Sequence, residues 1–313
     1  MSLKVFLSES LPEKKDNILL IISFNEKINF LNNILSTGTI ALNVKNKYEI
    51  WEVQDKVIFT QQNDINISRS KEYMFGSAII ENTSSYEELK SNIEKKYNDF
   101  FNLAKKSNMQ ILKIWHYFPD LLKNYSNNKT NYSLLCDARE TIYIETFENQ
   151  NFPAATVIGI EGKKILIYFF SAFCKSYSAL ENKRQVSSYN YPKSIFKEKP
   201  MFSRAVSFIP NNYKKKKFLI SGTASIIGYE SIHLDNVIKQ LEEALINYNN
   251  FIKPEDIILN VSRVYLSKKI EDSSVKIINK KLEDFFGLNK YILLQGEMCR
   301  KELLIEIEGF SDS

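Results

Sequence analysis

The chain has 313 residues and a mass of 36.5 kDa; 44% of its residues are hydrophobic, 25% are charged, and the net charge is +5. This composition excludes a disordered chain, and the length predicts two domains or one large one, with a core that needs no disulfide or metal to stabilise it. Three scattered cysteines (Cys136, Cys174 and Cys299) exclude a disulfide framework and a CxxC zinc site. The only two histidines, His116 and His233, exclude a multi-histidine metal centre, so we expect no metal.

The distribution of charged and apolar residues argues against a nucleic acid or a membrane as partner. The one dense basic run, residues 214–217, is typical of a solvated loop. The longest apolar runs, such as residues 165–170, are far shorter than the ~20 residues that a membrane span needs. The N-terminus lacks the pattern of a signal peptide, and the chain has no glycine-rich phosphate-binding motif. We therefore expect a cytoplasmic protein.

Apolar residues recur in a way that predicts an alternation of strands and helices from residue 77 onwards. In the middle third they predict a strand, a helix, a strand, a helix and two strands, over residues 77–80, 86–104, 110–118, 131–147, 152–159 and 164–173. In the last third they predict two short strands, a helix capped by Asp235, a strand, a helix and one or two strands, over residues 217–222, 223–228, 235–250, 257–266, 275–286 and 291–307.

These two series have a similar order, which indicates a weak internal duplication. The long helices align, and two strand sequences in each series can be laid over each other. A stretch rich in Tyr, Pro, Ser and Lys at about residues 187–200 is the expected boundary between the two units. We therefore predict an α+β fold with an N-terminal extension (1–70), a first unit (71–190) and a second unit (191–313). Each unit is expected to be a mixed β-sheet with two helices packed on one face.

The C-terminal strand is the first candidate for chemistry. Side chains alternate along a strand, so Leu303, Ile305 and Ile307 share one face, whereas Glu306 and Glu308 share the other. Such a pattern is often the solvated outer face of a sheet. The functional alternative is a carboxyl group held inside a pocket, where burial would raise its pKa so that it can act as a general acid near neutral pH.

A second candidate is the segment around Gly222, Thr223 and Ser225, whose small and hydroxyl residues follow a strand and can bind an anion. The alternative is a tight turn packed under a helix. Two arginines beside aromatic or small residues, Arg139 and Arg204, are candidates for binding a carboxylate through paired hydrogen bonds. The residues alone indicate a duplicated α+β protein with a candidate anion pocket.

Several blocks between about residue 75 and the C-terminus resemble, in the same order, the signature blocks of the chorismatase family. They are Ile114-Trp-His-Tyr-Phe-Pro-Asp, Cys136-Asp-Ala-Arg, Phe152-Pro-Ala-Ala-Thr-Val-Ile-Gly, Tyr191-Pro, Phe202-Ser-Arg-Ala, Ser221-Gly-Thr-Ala-Ser-Ile-Ile-Gly-Tyr-Glu-Ser-Ile-His and Cys299-Arg-Lys-Glu-Leu-Leu-Ile-Glu-Ile-Glu-Gly. The resemblance implies two RidA/YjgF-like (chorismate mutase-like) units. It also implies a monomer, a pseudo-oligomer within one chain, or a weak homo-oligomer.

Chorismatases split chorismate, a small dianion, into pyruvate and a ring product. The resemblance implies that Glu306 donates a proton to the enolpyruvyl methylene, without a metal or an organic cofactor. It also implies a set of substrate-binding residues, namely Arg139, Arg204, Tyr191, Tyr117, Gly222, Thr223 and Ser225.

The family has branches that form different products. One hydrolyses the ether and leaves a dihydroxycyclohexadiene carboxylate. The other forms 3-hydroxybenzoate, which can serve as a starter unit in secondary metabolism. Members of this branch typically have a cysteine seven residues before the catalytic glutamate and a glycine in the block that begins at Ser221. Cys299, Glu306 and Gly222 match this pattern, so the resemblance favours 3-hydroxybenzoate, with Cys299 as a catalytic-site residue.

Three positions depart from the family pattern and put details of substrate binding in question. His116 stands where relatives commonly have Asn, Tyr229 where they have His, and Ser267 where they have Arg. Two alternatives therefore stay open: a hydrolysing chorismatase, and a non-catalytic protein that binds a small ligand on the same fold. A non-haem iron dioxygenase is disfavoured, because it would require both histidines to converge with a carboxylate.

Overall fold

The structure, a computed structural model, describes residues 3–13, 15–31, 33–43, 48–83, 85–125, 128–147, 149–194, 197–251 and 258–312. Over these residues the protein is α+β, with four α-helices, one five-stranded sheet, two six-stranded sheets and a small two-stranded ribbon. The predicted fold class is confirmed at this level. Within the same ranges, none of the helices has the length and apolar character that crossing a membrane requires.

The N-terminal residues form a five-stranded sheet with the order β1-β5-β2-β4-β3. Its strands are β1 (Leu3–Ser8), β2 (Ile18–Ser23), β3 (Asn29–Leu31), β4 (Ile34–Ser36) and β5 (Tyr48–Val53). All six residues of β2 are buried, and its apolar side chains pack in two clusters, one that includes Leu20 and Ile22 and one that includes Ile21 and Ile50. The sequence patterns predicted no strands here, since short strands and polar turns leave little periodicity to detect.

A six-stranded mixed sheet follows, with the order β10-β9-β11-β8-β7-β6. Its elements are β6 (Ile58–Gln62), β7 (Ile65–Arg69), β8 (Tyr73–Glu81), α1 (Tyr86–Lys106), β9 (Gln110–Pro119), α2 (Asn131–Thr146), β10 (Ala154–Ile160) and β11 (Lys164–Ala172). Side chains of Ser85 and Thr130 cap the two helices. The predicted helices and strands of this part are confirmed, with ends that differ by a few residues.

The second six-stranded sheet has the equivalent order β18-β17-β19-β14-β13-β12. Its elements are β12 (Cys174–Leu180), β13 (Ala205–Pro210), β14 (Lys217–Ala224), the β15–β16 ribbon (Ile226–Ile227 and Glu230–Ser231), α3 (Val237–Asn249), β17 (Ile258–Leu266), α4 (Asp272–Phe286), β18 (Tyr291–Gln295) and β19 (Ile305–Asp312). The cap of α3 was predicted one residue too early: Asn236, not Asp235, accepts the hydrogen bond from the Lys239 amide.

Strand pairing crosses the two predicted boundaries at residues 70 and 190. Strands β6 and β7 lie within residues 1–70 but pair into the first large sheet, and β12 lies before residue 190 but pairs with β13 of the second. Only Phe173 separates β11 from β12, so the chain passes directly from one large sheet to the other. The division into an extension (1–70), a first unit (71–190) and a second unit (191–313) stays a prediction.

Each large sheet has one face covered by its helices and one face turned towards the other sheets. Residues of β8 and β9 pack with α1 and α2 in one core, and residues of β19 pack with α3 and α4 in another. A third core joins the helix-free faces with the N-terminal sheet and includes Trp51, Trp115, Tyr168 and Phe310. On β19, Ile305 and Ile307 therefore face the helices, while the opposite face, with its two glutamates, is buried between sheets.

Candidate active site

A cleft of about 420 Å³ lies where β14 and β19 of the second large sheet approach β10 and α2 of the first. The approach is held by the Ser221 hydroxyl, which accepts a hydrogen bond from the Ala155 amide (2.9 Å) and donates one to the Ser203 carbonyl (2.6 Å). Six residues singled out from the sequence line this cleft: Arg139, Tyr191, Arg204, Gly222, Cys299 and Glu306.

Glu306 lies on β19 opposite Ala224 of β14 and Tyr265 of β17, and it is 6% exposed. Burial and the nearby charge of Glu308 raise its pKa to about 8, although Lys113 and Arg204 act in the opposite direction. Its carboxyl group is therefore protonated at neutral pH and can donate a proton. The alternative of a solvated strand face is wrong for this residue.

Gly222 makes room for that carboxyl group. A methyl group at this position would overlap the Glu306 carboxylate, whose Oε1 atom is the nearest neighbour of the glycine. The glycine is required by this close approach and not by its backbone conformation, since its φ is outside the left-handed region. Its amide donates to the Thr156 hydroxyl (3.2 Å), which holds β14 against β10 at the cleft wall.

Glu308 lies two residues further along the same face but has a different environment. It has five polar partners from neighbouring strands: Lys113 (2.5 Å), Tyr265 (2.6 Å), Trp115 (2.7 Å), Thr156 (2.7 Å) and Arg263 (3.4 Å). Although burial acts against it, the charges of Lys113 and Arg263 and these hydrogen bonds lower the pKa of Glu308 to about 2. One strand face thus carries a neutral and an ionised carboxyl group, and only the neutral one lines the cleft.

Replacing Glu308 with glutamine is expected to lower the free energy of unfolding by about 3 kcal/mol, because Lys113 and Arg263 would lose a buried counter-charge. Since its folded-state pKa is depressed, the stabilisation by Glu308 is present above the ordinary carboxyl pKa of 4.5 and is lost as the pH falls towards 2. Denaturant titrations between pH 7 and pH 2 measure both effects. The exposed Glu242→Gln, which removes a surface ion pair with Lys281, is the matched control. Equal stability of the two variants would contradict the structural role of Glu308.

The two arginines of the cleft have N–H groups without partners in the part of the protein that the structure describes. Arg139, on α2, is 1% exposed and donates through Nε to the Tyr97 hydroxyl (3.3 Å). Arg204 donates through one terminal nitrogen to the Val186 carbonyl (3.1 Å) and the Tyr191 hydroxyl (2.7 Å). Among the described residues, neither a terminal nitrogen of Arg139 nor Nε of Arg204 has a hydrogen-bond partner. Buried guanidinium groups of this kind are suited to binding carboxylates.

Cys299 lies in the turn that leads into β19, not on the same strand as Glu306. Residues 299–302 bend, as the odd spacing between the two residues requires if both are to reach one pocket. Burial and the charge of Glu306 raise the pKa of Cys299 to about 11, so at neutral pH it is a thiol. The Tyr132 hydroxyl contacts this thiol and also that of Cys136.

Several cleft residues were missed from the sequence, among them Tyr132, Arg300 and Glu302. Arg300 stacks over the Tyr191 ring at 5.5 Å and donates to the Tyr229 carbonyl and the Ser231 hydroxyl. Its position directly after Cys299 in a conspicuous sequence block was the available signal, but the surrounding charged residues resembled an ordinary turn. With Arg139, Arg204 and Lys301, Arg300 is one of four cationic residues that line the cleft.

Three predicted substrate-binding residues are placed outside the cleft lining, in contrast to the expectation from sequence. The Tyr117 hydroxyl bonds Tyr265 (2.8 Å) and Arg263 (3.1 Å) within the partners of Glu308. The Thr223 hydroxyl donates to the Ser221 carbonyl, and that of Ser225 donates to the Ile232 carbonyl. The alternation of β14 explains Thr223, because Gly222 and Ala224 point into the cleft and the residue between them points away.

The two histidines have separate environments. His116 is buried on β9 and bonds Tyr97 and the Thr156 carbonyl, whereas His233 precedes α3 and lies 3.7 Å from Glu243. In the portion of the chain that the structure describes, no three His, Cys, Asp or Glu side chains are grouped so that they could hold a metal ion.

Comparison with known proteins gives a consistent result. Residues 49–171 match the family described as "Chorismatase FkbO/Hyg5-like, N-terminal". A 3-hydroxybenzoate synthase from Streptomyces hygroscopicus is 26% identical over 278 residues, which cover 83% of this chain and 80% of that protein. A chorismatase from Streptomyces rapamycinicus is 25% identical over 275 residues, covering 83% of this chain and 81% of the relative.

The crystal structure of a chorismatase shares the fold over nearly the whole length. The TM-score is 0.83, with 98% of this chain and 97% of the other covered at 20% sequence identity. The match therefore includes the N-terminal sheet, where no sequence block was recognised. This likeness shows the fold, while the family match over residues 49–171 and the two relatives show that the chain is similar to chorismatases over most of its length.

Proposed function

We propose that the protein converts chorismate into 3-hydroxybenzoate and pyruvate, with Glu306 as the general acid. The observation that carries the proposal is a buried carboxyl group with a pKa raised to about 8, in a cleft with two arginines that each have a buried nitrogen without a hydrogen-bond partner among the described residues. The relatives named 3-hydroxybenzoate synthase and chorismatase support the same substrate and the same product.

The cleft has the size and charge that chorismate requires. Its volume of about 420 Å³ lies within the usual range of small-molecule sites, roughly 300–1,000 Å³. Chorismate carries one carboxylate on its ring and one on its enolpyruvyl side chain. Arg139 and Arg204 each offer a buried N–H group that has no partner within the described ranges, so we assign them to the two carboxylates. Tyr191 holds Arg204 through its hydroxyl group (2.7 Å).

The reaction begins when Glu306 donates its proton to the methylene carbon of the enolpyruvyl group, which becomes a methyl group. The ether oxygen then shares the positive charge of an oxocarbenium ion, and its bond to the ring weakens. The ring hydroxyl attacks the carbon that carries this ether, the carbon–oxygen bond breaks, and its electron pair remains on the pyruvate that leaves. The hydroxyl proton returns to Glu306 as the oxygen closes a three-membered ring with the two carbons. The bond from this oxygen to its original carbon then breaks, the oxygen takes up a proton, and the carbon that now carries it loses its hydrogen, which yields the aromatic product. The two products contain all atoms of the substrate, so water, oxidant and cofactor are not consumed.

Incubation of the purified protein with chorismate tests the proposal. We expect pyruvate and 3-hydroxybenzoate in equal amounts, measured by a coupled lactate dehydrogenase assay and by chromatography. Pyruvate with a non-aromatic diol would show instead that the protein is a hydrolysing chorismatase. If chorismate binds but no pyruvate is released, the protein is instead a non-catalytic protein that binds a small ligand.

Replacing Cys299 with alanine is expected to change the product more than the rate of pyruvate release. The thiol lines the cleft close enough to Glu306 for the carboxyl charge to raise its pKa, and it fills space that water would otherwise occupy. With a smaller side chain, water competes with the ring hydroxyl and the diol appears. Chromatography of the products measures this ratio, with Cys136→Ala, in which the other cysteine at Tyr132 is changed, as the matched control. An unchanged ratio of 3-hydroxybenzoate to pyruvate in Cys299→Ala would refute the directing role.

The finer features of the fold are also proposals. The equivalent strand order of the two large sheets, each with two helices after its third and fourth strands, supports two RidA/YjgF-like units. A monomer or weak homo-oligomer in the cytoplasm remains our expectation, and light scattering of the purified protein tests the oligomeric state.

A further inference from the structure

A chain of hydrogen bonds leads from Arg139 into the core of the first large sheet. Arg139 Nε donates to the Tyr97 hydroxyl (3.3 Å), and that hydroxyl lies 2.6 Å from Nε2 of His116. The other ring nitrogen of His116 lies 3.0 Å from the Thr156 carbonyl oxygen. Arg139, Tyr97 and His116 are each at most 1% exposed, so water does not compete for these contacts.

The direction of each hydrogen bond follows from the donors available. The Thr156 carbonyl only accepts, so Nδ1 of His116 carries the proton and donates it. Burial and the charge of Arg139 lower the pKa of His116 well below its ordinary value, so the ring is neutral and Nε2 accepts. The hydrogen of the Tyr97 hydroxyl then points at His116, and its oxygen lone pairs are left for the guanidinium group of Arg139.

We propose that His116 is a positioning residue for Arg139, because it orients the Tyr97 hydroxyl that holds the guanidinium Nε. This contact leaves a terminal nitrogen of Arg139, which has no protein partner in the described ranges, for a carboxylate in the cleft. The proposal rests on the proposed function, in which that carboxylate belongs to chorismate. Without an acceptor at His116, the Tyr97 hydroxyl would turn to donate elsewhere, and Arg139 would lose its fixed orientation.

The same chain also reaches the opposite wall of the cleft. The Thr156 hydroxyl donates to Glu308 (2.7 Å) and accepts from the Gly222 amide (3.2 Å), next to the Glu306 carboxyl group. The backbone of Thr156 therefore links the orientation of His116 to the strand that faces the general acid. Thr156 thus contacts both His116, through its carbonyl oxygen, and Gly222, which lies next to Glu306.

The test compares two His116 variants of similar size. His116→Gln keeps an acceptor that can reach Tyr97, whereas His116→Leu has none. We expect the dissociation constant for chorismate, measured in a Glu306→Gln background that does not turn it over, to rise about tenfold in His116→Leu and in Tyr97→Phe. His116→Gln should recover most of that loss. Tyr248→Phe, which loses a buried tyrosine hydrogen bond to Ser262 outside the cleft, is the control for stability alone.

A spectroscopic measurement is independent of turnover. With only two histidines in the chain, nitrogen NMR of the labelled rings can assign His116 by removing His233. We expect the neutral tautomer with the proton on Nδ1 throughout the pH range of activity, and a shifted Nε2 signal in Tyr97→Phe. Unchanged chorismate affinity in folded His116→Leu and Tyr97→Phe, or a loss no greater than in Tyr248→Phe, would overturn the proposal. Failure of the wild-type protein to release pyruvate would instead contradict the proposed function, which separates the two results.

Discussion

Replacing Glu306 with glutamine is expected to lower the rate of pyruvate release by at least about 10²–10⁴-fold, the usual contribution of a general acid. The amide has the size and shape of the carboxyl group and fits beside Gly222, but it cannot transfer a proton to the methylene carbon. The fold should be retained, since the neutral amide replaces a carboxyl group that is itself neutral at pH 7. Pyruvate release under single-turnover conditions, with the melting temperature as a check of folding, measures the effect.

The pH dependence of the wild-type enzyme provides a second measurement of the same assignment. Because the pKa of Glu306 is raised to about 8, the acid is protonated below this pH and is lost above it. We expect the rate of pyruvate release to be level at neutral pH and to fall about tenfold per pH unit above the pKa. A profile that falls near pH 4–5 instead would show that the carboxyl group is ionised in the working range, as in an exposed glutamate.

The variant Glu302→Gln tests whether the general acid has been assigned to the right residue. The Glu302 carboxyl group also lines the cleft, but it accepts a hydrogen bond from the Ser231 hydroxyl (2.8 Å). If Glu306→Gln retains turnover within about threefold of wild type, whereas Glu302→Gln loses it, the acid has been assigned to the wrong residue. Glu308 is not a candidate for the acid, because its partners keep it ionised and it lies outside the cleft lining.

Removing either arginine of the cleft is expected to weaken chorismate binding by about 2–5 kcal/mol, or roughly 30- to 4,000-fold in the dissociation constant. A substrate carboxylate would remain desolvated in the cleft without its partner. Arg139→Ala should lower affinity and also some stability, because the side chain is buried and donates a hydrogen bond to Tyr97. Arg204→Ala should also lower stability, because this side chain bonds Val186 and Tyr191 and stacks on Phe202 at 5.1 Å.

Binding is best measured by calorimetry in the Glu306→Gln background, where chorismate remains intact. Arg184→Ala is the matched control, because Arg184 pairs with Glu243 and with Asn247 (2.9 Å) outside the cleft. We expect that variant to lose stability and to keep its affinity. If Arg139→Ala and Arg204→Ala bind chorismate as Arg184→Ala does, the arginines hold the fold and not the substrate.

Periodicity in the sequence was enough to predict all four helices and most strands of the two large sheets, because apolar residues recur at helical or alternating spacing there. It failed for the N-terminal sheet and for edge strands such as β12, whose residues are partly exposed and lack a clear alternation. The residue patterns singled out Glu306, Arg139 and Arg204 as candidates, the resemblance to chorismatases implied their roles, and the structure brings the three into one cleft. Arg300 and Tyr132 were missed, because neither stands in a pattern that distinguishes a lining residue from a turn or a helix face.

The sequence by itself determined that Glu306 and Glu308 share one face of a strand, since alternate residues point the same way. Only the tertiary structure decided that Glu306 is neutral at pH 7 and that Glu308 is ionised and paired with buried cations. Lys113, Trp115 and Arg263 come from other strands and approach Glu308, whereas Gly222 leaves space for the carboxyl group of Glu306. The pKa of a carboxyl group depends on burial and on the charges within a few ångströms, and these are set by contacts between residues far apart in the chain. The same reason explains why Tyr117, at a position that resembles a substrate-binding block, is instead bonded to Tyr265 and Arg263 in the core.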